Sequence, residues 1–122
     1  MKILPKDKSI RLAKGLTTLE FACQCKNSFC LMTLVHPSLA KAFGKFRNLI
    51  NVPMKINSGY RCPAHNLEEG GKPCSFHQAG MAIDISLKSL SHLSRSDIEF
   101  AAKESGFTYV KFYKSFVHLD VR

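Results

Sequence analysis

Acidic side chains are scarce in this chain: nine Asp and Glu stand against eighteen Lys and Arg in 122 residues, a formal net charge of +9. The shortage is local. Residues 1–61 hold two acidic and eleven basic side chains, whereas residues 62–122 hold seven of each. Long apolar runs are missing too, and none approaches the ~20 residues of a membrane span. Met1 leads into Lys2, Pro5, Lys6, Asp7 and Lys8 with no apolar run of signal-peptide type. Synthesis in the cytoplasm without a signal peptide is therefore expected, with reduced thiols. Repeats, low-complexity tracts and linkers are absent, and an apolar content of 45% excludes a disordered chain. Area scaling has a chain of this size bury roughly two-thirds of its surface, enough for one core. A single domain over 1–122 is expected, with residues 1–16 as a basic N-terminal arm, acting as a monomer. The +9 charge admits a nucleic-acid partner through counterion release. The basic residues are scattered and not interleaved with exposed aromatics, so a solvated basic face is preferred and nucleic acid is not the expected partner. A polyanionic solid such as the bacterial cell wall is a third option.

The pattern along the chain is α+β with a small, mainly antiparallel sheet and flanking helices. Thr17, with Glu20 three residues on, predicts a short capped helix through Ala22. Residues 23–36 read as a Cys-rich loop. Pro37 opens a helix in which Leu39, Phe43, Phe46, Leu49 and Ile50 recur at helical spacing. Met54 to Ser58 alternates as a strand, Gly59 to Phe76 reads as one long functional loop, and Met81 to Ile85 alternates again. Ser96 and Glu99 predict the start of a helix that ends at Gly106. Two strands then follow, 107–113 and 116–121, around a turn at Lys114-Ser115.

Chemistry concentrates at His77, Asp84 and His118. In the strand around Asp84, Met81, Ile83 and Ile85 face one way and Ala82 and Asp84 the other. A carboxylate among Ala and Ile is costly to bury unless something positive meets it. In the last strand Val117, Leu119 and Val121 share one face, leaving His118 and Asp120 on the other. Two histidines and an aspartate from neighbouring strands suit a three-ligand zinc site with a fourth position for water. The competing reading is a salt-bridged Asp84 with two satisfied surface histidines. That reading would win for either histidine alone, but for the set the metal is preferred.

Ser58-Gly59-Tyr60-Arg61, Pro63-Ala64-His65-Asn66, Gly70-Gly71, Ser75 to Ile85 and Phe116-Val117-His118-Leu119-Asp120 together resemble the D-alanyl-D-alanine carboxypeptidase family of zinc peptidases, whose fold is shared with the hedgehog signalling domain. The resemblance covers roughly residues 17–122. It implies one zinc per chain held by His77, Asp84 and His118, with zinc-bound water as nucleophile. It also implies cleavage of peptidoglycan stem peptides, as carboxypeptidase or murein endopeptidase, at the bacterial cell wall if the protein is lytic or phage-borne. Arg61 matches the arginine that holds substrate or stabilises the oxyanion; its alternative is a structural pairing with Asp120 or a backbone carbonyl. Ser75 matches a serine that contacts the peptide, or serves as a turn cap. Asp120 resembles an acid that orients a ligand or Arg61, or is an exposed strand-end charge.

One position departs from the family pattern. Many active members carry Asp or Glu three residues before the last zinc ligand, as general base, and here that residue is Ser115. A general base contributes ~10²–10⁴-fold, so a catalytically weak or inactive zinc-containing wall-binding module is the alternative function. Glu68, Glu69, His65 and Asp120 are substitutes that the sequence does not place. Short phage-like relatives also show Ser or Thr at this position. Of the five cysteines, Cys62 and Cys74 flank the long loop and could close it with a disulfide. The C-x-C-x4-C spacing of Cys23, Cys25 and Cys30 lacks C-x-x-C knuckles, which weighs against a second, structural zinc. His36, His92, Tyr109 and Tyr113 read as surface or sheet-packing residues. The basic first half reads as a docking surface for a polyanion, through Lys2, Lys6, Lys8, Arg11 and Lys14.

Overall fold

A computed structural model describes residues 1–72 and 75–122. It shows a mixed α+β fold of small antiparallel sheets and four helices. The largest sheet has four strands in the order β5 (Ile56–Ser58), β6 (Ala82–Ser86), β8 (Phe116–Asp120) and β7 (Tyr109–Phe112), all antiparallel. The pairing of β6 with β8 sets Asp84 opposite His118 and Ala82 opposite Asp120. The alternation predicted for these two strands therefore becomes a register that gathers the chemistry on one face.

The other face carries the core. Ile83, Ile85, Val117 and Leu119 meet Leu39, Phe43 and Phe46 of helix α2 (Pro37–Ile50) and Ile98 and Ala102 of helix α4 (Arg95–Ser105) in one buried cluster. Phe46 meets Phe107 edge to face at 6.1 Å. Helix α2 begins as its sequence predicts, with Pro37 in the first turn, but its cap is His36, whose Nδ1 accepts the Ser38 amide at 3.1 Å. His36 thus has a capping task that the sequence reading missed. Leu49, predicted on the apolar stripe, is 59% exposed. Helix α4 ends at Gly106 as expected, yet its cap is Ser94, which accepts the Asp97 amide, and not Ser96.

Three expectations are corrected. Residues 1–16 are no arm: β1 (Lys2–Pro5) pairs with β4 (Met32–Val35), and β2 (Arg11–Ala13) pairs with β3 (Leu16–Thr17). The Cys-rich stretch contains β4, because β1 supplies a partner from thirty residues away. The long loop contains helix α3 (Pro63–Glu68), which starts on Pro63 as Pro favours. Lys6 also leaves the expected docking set. Its Nζ donates to the Cys25 carbonyl at 2.9 Å and points at the Cys25 and Cys30 sulfurs. Helix α1 (Thr18–Phe21) does carry the predicted box, with the Thr17 amide donating to Glu20 Oε1 at 3.1 Å.

Gly80 joins the turn bearing His77 to β6. Its φ is +67°, and a Cβ there would run into the Leu34 carbonyl and stand 3.0 Å from the Val35 nitrogen. Its carbonyl accepts the His36 amide at 3.0 Å. Gly80→Ala combines left-handed strain with overpacking against backbone, and is expected to destabilise the protein by about 2–5 kcal/mol in a denaturant melt.

Candidate metal centre

The strand register brings His118 and Asp84 together, and the turn after Ser75 adds His77. His118 Nδ1 lies 2.9 Å from Asp84 Oδ1, and His77 Nε2 lies 3.2 Å from the same oxygen. His77 and Asp84 are buried; His118 is partly covered. One ligand atom from each of the three falls within 4.8 Å of the other two.

Proton counting tests whether a cation fits. His77 Nδ1 sits 2.7 Å from the Gly59 carbonyl, which only accepts, so a proton is there, and unless Nε2 carries a second proton or a metal it turns a lone pair toward the Asp84 carboxylate. His118 has carboxylate oxygens on both nitrogens: Asp84 Oδ1 at 2.9 Å and Asp120 Oδ2 at 2.8 Å. A neutral imidazole has one N–H and cannot satisfy both. Each contact requires an extra proton or a metal ion in its place. With a metal on Nδ1, the His118 Nε2–H is left for Asp120, the carboxylate–histidine arrangement that fixes a ligand ring. The donor set therefore fits a borderline metal such as zinc.

Without metal, protons take up this role. Burial pushes the Asp84 carboxyl up, but hydrogen bonds from His118 and His77 and their charges outweigh it and hold it at about 2. Burial lowers His118, yet the hydrogen bonds to Asp84 and Asp120 and their charges leave it above the ordinary histidine value. A depressed carboxylate contributes stability above its unfolded value near 3.8, lost as pH falls toward 2. A raised histidine contributes below 6.5, and its share is lost as pH rises through the folded value. Chelator-treated protein is thus expected to gain most from this cluster between about pH 4 and 6.5. The Tm difference between chelator-treated wild type and Asp84→Asn, followed across pH, isolates the term. A difference that does not vary with pH would contradict it.

Around the three donors stand the other residues singled out by the sequence. Arg61 pairs with Asp84 (Nη2 to Oδ2, 3.3 Å), not with Asp120, and donates from Nε to Ser58 Oγ at 2.9 Å. Ser75 is a turn cap, accepting the His77 amide at 3.3 Å, and also lines the cleft. Asp120 is fully buried, not an exposed strand-end charge. It bonds His118 and takes a two-point contact from Arg122, at 2.9 Å from Nε and 2.7 Å from Nη2. Burial raises the Asp120 carboxyl, but Arg122 and His118 hold it below the usual range. It is therefore unsuited to accept a proton.

Three more residues join the site: Arg122, which the sequence did not single out, Asn66 of the Pro-Ala-His-Asn stretch, and Tyr109, expected only to pack in the sheet. The Arg122 guanidinium lies 3.7 Å above the Tyr109 ring, and Tyr109 meets the His118 ring edge on at 6.0 Å. Buried Asn66 is 3.5 Å from Arg61 Nη1 through Oδ1 and donates to the Lys72 carbonyl at 2.8 Å. Arg122 had one signal, its place two residues beyond Asp120 on the same strand face. Cys74, one half of the disulfide considered for the loop, lies outside the described residues.

An open cleft of about 470 Å³ has His77, Asp84 and His118 in its lining. Its described walls include Arg61, Lys72, Lys111 and Arg122, and Glu69 is the one carboxylate besides Asp84. Ser115 is not among the wall residues. It is exposed in the β7–β8 turn, where its carbonyl accepts the Leu87 amide.

Two histidines and a carboxylate, Asp84 and His118 on paired strands and His77 on the adjoining turn, form a donor set of the kind metal-dependent hydrolases use. The family model for peptidase M15 matches residues 14–120, and the chain belongs to that family of zinc peptidases related to D-Ala-D-Ala carboxypeptidase. Among solved structures, the L-Ala D-Glu endopeptidase ChiX of Serratia marcescens is similar over 72% of this chain and 80% of its own, at 20% identity with a TM-score of 0.51. At that identity the likeness speaks for the fold. No curated protein matches the chain. Among the described residues no helix is long and apolar enough to cross a membrane.

Proposed function

We propose that this chain is a zinc-dependent peptidase that cuts the stem peptides of peptidoglycan, with His77, Asp84 and His118 holding the metal. The observation that carries the reading is the lone pair of His77 and the doubly engaged His118 aimed at one buried carboxylate within the cleft, a set that calls for a cation. When bound, zinc supplies Lewis acidity, polarising a peptide carbonyl and making water a nucleophile near neutral pH. The residues do the rest. Asp120 receives the His118 Nε2–H and fixes the ring, and Arg122 keeps Asp120 ionised. Arg61 is anchored by Ser58 and Asp84, and its guanidinium in the cleft wall is suited to the negative charge that develops on the attacked carbonyl oxygen. Ser75 lines the same wall and is placed for a substrate contact. Lys72 and Lys111 favour an acidic peptide, and peptidoglycan stems carry free carboxylates. Glu69, 3.6 Å from His65 Nε2, lines the cleft, and we assign it the proton of the attacking water. The ChiX likeness makes an endopeptidase cut as natural a candidate as removal of a terminal D-alanine.

The exposed Ser115 favours a second reading, a wall-binding module that keeps the metal and turns over slowly or not at all. Digestion of purified sacculi by zinc-loaded protein, read by mass spectrometry, separates the two. Released peptide or D-alanine, absent with His77→Ala, supports the peptidase and identifies the bond. Tight sacculus binding without release would establish the module instead.

A further inference from the structure

Four cysteines from three separate stretches converge on one point. Cys23 and Cys25 follow helix α1, Cys30 precedes β4, and Cys62 caps helix α3. Their sulfurs all lie within 4.8 Å of one another. Cys62 Sγ is 3.7 Å from Cys23 Sγ and 3.7 Å from Cys25 Sγ. A tetrahedron of sulfurs with zinc–sulfur bonds of about 2.3 Å has edges of about 3.8 Å, whereas a disulfide needs about 2.05 Å. All four are free thiols, three of them buried and Cys25 half-buried. The spacing is that of a coordination shell and not of paired disulfides.

The surroundings match. Four thiolates on a divalent ion leave an excess of two negative charges, which a buried site must offset. Lys6 supplies an ammonium 3.5 Å from Cys30 Sγ and 3.7 Å from Cys25 Sγ, while its third contact, the Cys25 carbonyl, holds it there. The Cys62 amide donates to Cys23 Sγ at 3.4 Å, a bond that strengthens when the sulfur is an anion. A half-buried lysine that turns its ammonium onto thiols has no role in a purely apolar cysteine cluster.

We propose that Cys23, Cys25, Cys30 and Cys62 bind a second, structural zinc ion, so that the chain carries two zinc sites of different chemistry. All-sulfur tetrahedral coordination selects zinc over oxygen-seeking cations, and four protein ligands leave no open position for a reaction. Binding releases the thiol protons and ties α1, the β1–β4 pair and α3 together. Cys62 directly follows Arg61, and the neighbouring Tyr60 amide donates to the Phe21 carbonyl at 2.7 Å. The ion therefore fixes the strand of chain that presents Arg61 to the cleft. This site stands independently of the peptidase reading, since it uses none of the cleft residues.

Metal analysis of the full chain tests it. Wild type is expected to hold two zinc ions per chain, and His118→Ala one. In that variant the remaining ion must be released by a mercurial thiol reagent and, after exchange for Co²⁺, must give an intense thiolate-to-cobalt absorption band. Cys62→Ser is expected to lose the band with one zinc retained in the cleft, and Cys74→Ser to keep both ions. Because Cys62→Ser can fail to fold, the His118→Ala measurements decide alone. One zinc per chain in wild type and none in His118→Ala, or a mass spectrum showing two disulfides among the four cysteines, would overturn the proposal.

Discussion

His118→Ala is expected to abolish measurable peptide hydrolysis and to remove the cleft metal while leaving the fold intact. The side chain is only partly buried, and on its core side β8 is held by Val117 and Leu119, so truncation loosens the ring contacts with Tyr109 and His77 but leaves the core packing unchanged. What it removes is the ring that joins Asp84 to Asp120 through its two nitrogens. Lewis-acid stabilisation is worth several kcal/mol; at 1.36 kcal/mol per decade, ~4 kcal/mol corresponds to about 10³ in rate. Asp120→Asn retains the ring but removes the carboxylate that fixes it and that pairs with Arg122, so a smaller loss of about 10–100-fold in metal affinity is expected. Rates on sacculi and metal content, measured side by side, check both. Unchanged turnover in His118→Ala would remove this cluster from the chemistry altogether.

Glu69→Gln is expected to lower kcat by about 10²–10⁴ with metal content and melting temperature unchanged. Glu69 closes helix α3 at its C-terminal cap and is half exposed, so the amide costs little stability. It is singled out by elimination within the described cleft. Asp84 is taken up by the two imidazoles and Arg61, Asp120 by Arg122 and His118, and Glu68 is not in the wall. If Glu69→Gln keeps its rate while Ser115→Asp raises turnover, the proton acceptor belongs on the β7–β8 turn and Glu69 does not fill that place.

Two of the three metal donors, Asp84 and His118, were legible because they lie on strands with a strict two-residue alternation, where the apolar face fixes the register and the register fixes the polar partners; His77 sits on the turn before the first of them. Asp84 and His118 are separated by thirty-four residues in sequence yet directly paired, and their shared pattern of Ile and Val around a polar residue is what revealed it. Helix α2 was legible for the same reason, with a period of 3.6. Legibility failed where the partner is distant or the element too short to show a period. Strand β1 becomes a strand only because Thr33 and Leu34 stand opposite Leu4 and Ile3, and helix α3 has six residues. The cysteines illustrate the same limit. Local knuckles announce a metal site in sequence, but here the fourth sulfur arrives from α3, on the other side of α2 and β5. Arg122 offered only its two-residue offset from Asp120, because its value lies in its contacts with Asp120 and the Tyr109 ring.

Asp84 gathers two imidazoles and a guanidinium around one buried carboxylate. The fold has therefore borne the entropic cost of assembling the ligands. Loading then exchanges protons for metal within a preset frame, and no chain segment needs to travel. Such a centre should accept and lose its ion at a rate governed by proton release and water exchange, and the empty and filled proteins should be nearly superimposable.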